Sequence, residues 1–201
     1  MCINQINIIK QFYETANKSP STWLEGRSYS DSFVICIAAG PWKFNRRKSI
    51  QQLALNKLNG KDLIELDKID WFPLKWQNDI LNNLIFNIKL SEFKSFEELC
   101  KDHVEQAKEF PHLIRVSVSA YCGYHNDDPP KVISLFMRDA LKIASFPIDR
   151  HVKRKLQEMS LPVKESEVIS LCLKAELDPR LVAYSFVKEA SDMENPDWSL
   201  K

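Results

Sequence analysis

Apolar residues return at intervals of three and four along most of the chain, the spacing that lines one face of an α-helix. Ile6, Ile9, Phe12 and Tyr13 share a face of a first predicted helix. Lys18 to Ser28 holds Pro20, Gly26 and several Ser and Thr, and reads as a loop. Asp31 is placed to cap a second helix carrying Phe33, Ile35, Ile37 and Ala38, which Gly40-Pro41 ends. A third is predicted from about Asn45 to Leu58, stopping at Gly60.

Leu74 to Leu90 repeats the pattern through Trp76, Ile80, Leu84 and Ile88. Ser95-Phe96-Glu97-Glu98 fits a capping box, so a helix should start there and run to about Glu109. Another follows Pro111 and ends near Gly123. Tyr124 to Pro130 is polar and proline-rich, and helix resumes at Lys131. Pro147 breaks that run, and Asp149 is placed to cap a helix containing Val152 and Leu156. Asp178-Pro179 reads as an N-cap followed by proline at the first helical position. Trp71, Phe72, Trp76 and Phe86 read as core, and the stretch after about Ser191 as a polar tail. With four glycines and little β-branched alternation, the expectation is an all-α fold.

Composition narrows the picture only a little. A hydrophobic share of 44% argues against disorder. Lys and Arg number 28 against 27 Asp and Glu, so net charge points to no partner. Cys2, Cys36, Cys100, Cys122 and Cys172 are odd in number and widely spaced, with no C-x-x-C pair. That spacing suits free buried thiols better than a disulfide framework, a zinc site or an iron–sulfur cluster. The first residues have neither a basic nor an apolar signal region, and no apolar run reaches membrane-spanning length, so the expected location is cytoplasmic.

The candidate chemistry lies between Lys131 and Arg154. Lys131-Val-Ile-Ser-Leu-Phe-Met-Arg138-Asp139 is followed by Phe146-Pro-Ile-Asp149-Arg150-His151-Val152-Lys153-Arg154. The second stretch resembles the hydrophobic-Asp-x-His-hydrophobic signature of the helix-hairpin-helix DNA glycosylases, the superfamily of endonuclease III and the 8-oxoguanine glycosylases. Bifunctional members carry a lysine at the start of the helix before that aspartate. The separation here, 18 residues from Lys131 to Asp149, agrees with theirs. Leu-Phe-Met-Arg-Asp and Asp-Arg-His look closest to the small archaeal-type 8-oxoguanine glycosylase/AP lyases. More weakly, Phe33-Val-Ile-Cys-Ile-Ala-Ala-Gly-Pro-Trp42 resembles the first helix of the family's helical barrel. The likeness spans roughly residues 30 to 160.

The resemblance implies two helical lobes, a barrel over 30–146 and a second lobe from 1–29 plus 147–201, with Lys131 and Asp149 in the cleft. It implies a monomeric enzyme that acts on damaged double-stranded DNA, with oxidised purines of the 8-oxoguanine kind as the substrate class, no metal or organic cofactor, and association with the nucleoid when on DNA. A carboxylate can oppose positive charge building on the deoxyribose, and a lysine amine can attack C1′ to form a Schiff base. The target base must leave the stack to be reached.

One departure is plain. Where the family has a glycine-rich hairpin that binds phosphate, this chain reads His125-Asn-Asp-Asp-Pro-Pro130. Proline donates no N–H, and Asp127 and Asp128 are expected to repel phosphate. Trp42, Lys43, Arg46, Arg47 and Lys48, cations interleaved with aromatics, are the expected substitute, joined by Arg150, His151 and Arg154. Solvated helix faces would account for the same cations. Two other readings stay open: a relative that binds DNA without cleaving it, and an all-α protein interaction module.

Overall fold

The helical periodicity is realised in ten α-helices among the described residues of the computed structural model, which are 3–16, 20, 22–40, 44–125 and 128–191. They are α1 (Ile3–Thr15), α2 (Tyr29–Ala38), α3 (Phe44–Leu58), α4 (Lys75–Leu90), α5 (Phe96–Gln106), α6 (Pro111–Tyr121), α7 (Lys131–Asp139), α8 (Arg150–Glu158), α9 (Glu165–Lys174) and α10 (Pro179–Ser191). A 3-10 turn, Leu63–Glu65, precedes α4, and no strand occurs among the described residues. The fold is all-α. No described helix is long and apolar enough to cross a membrane.

Helix ends largely follow local chemistry, with two corrections. Ser28, not Asp31, caps α2: its hydroxyl accepts from Asp31 N–H at 3.0 Å, which puts Asp31 in the first turn, where its charge suits the helix dipole. At α5, Ser95 accepts from Glu98 N–H at 3.0 Å, but Glu98 reaches back to Lys94 N–H rather than closing the box on Ser95. Asp62 serves there instead, accepting from Phe96 N–H at 2.9 Å and Glu97 N–H at 3.2 Å.

The apolar core forms two clusters. The first gathers residues of α2 to α7 with Leu24, and α2 is its axis: Phe33 through Ala38 are fully buried. Two buried amides tie carbonyls near its end to neighbouring helices, one at Ile37 O and one at Ile35 O, which also accepts from Ala39 N–H at 3.1 Å. Gln51 donates to Ile35 O at 3.2 Å and Gln77 to Ile37 O at 2.6 Å. Phe33 packs edge-on against Phe96 and Phe136, with centroids 5.5 and 4.8 Å away. Trp23 and Tyr29 also pack here, so the stretch just before residue 30 sits with the first cluster. Phe86, expected in the core, is exposed. The second cluster joins Ile9 of α1 to Phe146, α8, α9 and α10, with Phe12 and Phe146 both against Phe186. The chain passes from one to the other between Ile143 and Phe146.

Candidate functional site

The passage between clusters brings Lys131 and Asp149 together. Pro130 precedes α7 with φ −50° and ψ 141°, ready to lead into a helix, and Lys131 is the first helical residue. Pro147 interrupts the chain before α8, and Asp149 takes the extended conformation of an N-cap. One oxygen of Asp149, Oδ1, accepts from His151 N–H and Val152 N–H, each at 2.9 Å. The other, Oδ2, accepts from Lys131 Nζ at 2.9 Å. The carboxylate is thus held by backbone on one side and presents its free edge to the lysine.

Burial pushes the Asp149 carboxyl up, but the charge of Lys131 and the three hydrogen bonds outweigh it, so it stays below the usual carboxylate range. It is therefore ionised at neutral pH. The pair remains reachable: the side chains of Lys131 and Asp149 are 34% and 27% exposed. A carboxylate fixed in place beside an amine can stabilise a nearby cation and hold the amine in one direction of approach.

The first turn of α3 also faces this region. Arg47 is half-buried, which lowers its pKa, while the charge of Asp149 raises it in opposition. Arg47 thus shares the electrostatic field of the pair instead of standing on a remote solvated face. Arg46 is exposed and Lys48 half-buried. Trp42, Lys43 and Asp127 lie outside the described residues. On α8, Arg150 is exposed and donates Nε–H to His151 Nε2 at 3.1 Å, His151 is half-buried, and Arg154 is exposed with Glu158 at 3.8 Å. The structure therefore groups Lys131, Asp149, Arg150, His151 and Arg47, with Arg154 one turn further along α8.

The segment before Lys131 departs from expectation. Asp128 is turned onto α9: its Oδ1 accepts from Glu165 N–H at 2.8 Å. Its charge is engaged at a helix N-terminus, where it is favourable, and is not presented bare as a phosphate repellent. The turn begins at Gly123, where φ is +88° and a Cβ would lie 2.4 Å from the Asn83 amide, so no other residue fits without displacing Asn83.

Two buried polar clusters lie elsewhere on the elements that carry the pair, and sequence reasoning assigned them no role. Glu165 is buried against Ser134, Ser145 and Arg115, and Asp139 against Arg138, Tyr184 and Trp23. Apart from Arg138, which adjoins Asp139, their partners are distant in sequence, so no local pattern marks them. Cys36, Cys100, Cys122 and Cys172 are free and buried. Burial drives their thiols upward, that of Cys172 to about 12, which leaves them unreactive. Among the described residues no three metal-ligating side chains converge. No family model, curated protein or solved structure matches the chain.

Proposed function

We propose that the protein is a DNA base-excision glycosylase with AP-lyase activity, acting on damaged bases of the oxidised-purine class through Lys131. The observation that carries the reading is the 2.9 Å contact between Lys131 Nζ and Asp149, two residues the sequence pairs by motif and spacing. Two further features support it. The helix–turn–helix of α6 and α7 delivers Lys131 at the first position of the second helix. The pair also lies where the two hydrophobic clusters meet, open enough to admit a ligand.

In this reading Asp149, kept ionised, opposes the positive charge that builds on the sugar as the glycosidic bond stretches. Lys131 Nζ, having given up a proton, bonds to C1′ while the base leaves with the bonding electrons and takes up a proton. The ring opens to a Schiff base. Loss of a C2′ proton then expels the 3′ phosphate by β-elimination. Arg47, Arg150 and Arg154 supply positive charge for the DNA backbone, and His151 lies beside Arg150.

Borohydride should covalently link the wild type, and not Lys131→Gln, to a duplex carrying an oxidised purine or an abasic site. Equal trapping by Lys131→Gln would remove Lys131 from the chemistry. A second reading, a relative that binds DNA without cleaving it, is favoured by Pro129 and Pro130, which take two backbone donors out of the turn before Lys131. Salt-dependent duplex binding with no trapping on any lesion would select it.

A further inference from the structure

Lys131 and Asp149 are delivered by two separate stretches of chain, and one buried residue touches both. Glu165 opens α9, and its side chain is 5% exposed. Oε2 accepts from Ser134 Oγ at 2.5 Å. Oε1 accepts from Ser145 Oγ at 2.6 Å and from Phe146 N–H at 2.7 Å, with Arg115 Nη1 at 3.5 Å. Its own N–H donates to Asp128 at 2.8 Å. Asp128 and Ser134 stand three residues either side of Lys131, and Ser145 and Phe146 lead into Asp149. A carboxylate that deep in the protein is retained only with its lone pairs satisfied and a cation near; here Arg115 of α6 is the cation, and every hydrogen-bond donor to the carboxylate belongs to a segment that sets the site.

We infer that Glu165 is a positioning residue that fixes the separation of Lys131 and Asp149 from the far side of both segments. This rests on the reading of that pair as the reactive centre. Gln at 165 keeps the shape but removes the charge facing Arg115 and replaces the acceptor at Ser134 by an amide N–H₂, so Ser134 must turn its hydroxyl round to accept and the charge-assisted tie on that side is weakened. Replacing Ser145 or Ser134 by Ala removes one tie and leaves the carboxylate. Asp at 165 keeps the charge on a shorter stem and restores part of the clamp.

The test uses the full chain and two readouts. The first is the single-turnover rate of borohydride trapping on an abasic-site duplex, with duplex affinity measured alongside. The second needs no DNA: the NMR signal of ¹³C-dimethylated Lys131, assigned with Lys131→Gln and compared with Asp149→Asn as the broken-pair reference. Glu165→Gln and Ser145→Ala should trap about 10-fold more slowly at unchanged duplex affinity, because small displacements of reacting groups are costly in rate. Their Lys131 signal should move toward that of Asp149→Asn, and Glu165→Asp should recover part of both. A folded Glu165→Gln with wild-type trapping and a wild-type Lys131 signal overturns the inference. If Glu165→Gln does not fold, Ser134→Ala and Ser145→Ala decide by the same criteria. If the wild type traps no duplex, the glycosylase reading fails, and the Lys131 signal alone decides whether Glu165 sets the pair.

Discussion

At the start of α7, Lys131 reaches across to Asp149; at its end, Arg138 folds onto Asp139. Both are aspartate–cation pairs on one helix, yet their surroundings assign them different work. Asp139 is 1% exposed and saturated: Arg138 grips it through Nε at 2.6 Å and Nη2 at 3.0 Å, Tyr184 donates at 2.6 Å and Trp23 at 2.8 Å. The Arg138 guanidinium also lies 4.1 Å from the centre of the Tyr184 ring. Nothing can approach that carboxylate without dismantling the junction of α7, α10 and the loop of Trp23. Asp149 has three donors and an open edge. Saturation marks a pair that holds the fold; the partly exposed Asp149 is the one the proposed reaction would use.

The sharpest way to break this comparison is to neutralise each aspartate in turn. Asp139→Asn leaves a buried guanidinium without its counter-charge and should cost about 3–5 kcal/mol in chemical denaturation. Asp149→Asn keeps most of the cap and should cost about 1 kcal/mol or less. Equal losses would mean that both pairs are structural. In single-turnover excision the order should reverse. Asp149→Asn should fall by at least about 100-fold, the loss of a preorganised charge beside a forming cation, with duplex affinity nearly unchanged. Folded Asp139→Asn should keep most of its rate.

A smaller effect tests which cations join the open pair. Arg46→Ala with Arg47→Ala should flatten the dependence of log K on log salt by about 1 to 2, uniformly across sequences. An unchanged slope would leave Arg47 as a neighbour of Asp149 and no partner of phosphate. The smallest effect is in acid. Both aspartates are held below the usual range, Asp139 because Arg138, Tyr184 and Trp23 outweigh its burial. A depressed folded pKa adds stability that is complete above the unfolded value, near 3.8, and drains as pH falls through the folded one. Wild-type stability should thus decline below about pH 4, and each Asn variant should decline less steeply. A variant with the wild-type acid slope would show that its aspartate titrates normally.

How much of this was legible depended on distance along the chain. The caps at Asp149 and Asp178 were readable because N-capping is written within three or four residues; Asp178 accepts from Arg180 N–H at 2.8 Å. Ser28 and Asp31 could each have capped α2, and the choice lay in how the preceding loop arrives. The meeting of Lys131 and Asp149 was suggested by their spacing, whereas the contact itself is made by the turn through Ser145 and Pro147. Glu165 was illegible: its partners stand 37, 31, 20 and 19 residues away, and α9 carried no cap signal, since Lys164 makes no side-chain capping bond. Arg47 read as one cation in a basic run because partial burial within the field of a distant aspartate leaves no local trace. Phe86 failed as a core residue because helical spacing gives a face and not what covers it.

Helix α1 precedes the whole first cluster in the chain and packs against helices that follow it. Its Gln5 donates to Ser160 O, 155 residues downstream, and Phe12 stacks on Phe186 of α10. Every residue of the first cluster, from Leu24 to Ile143, precedes in sequence the residues of the second cluster that cover α1. During synthesis α1 therefore waits with its apolar stripe uncovered until those later helices have been made. Closing the second cluster is a return of α1 across the first cluster to α9 and α10, and it packs the same core against which α8, the helix capped by Asp149, is seated.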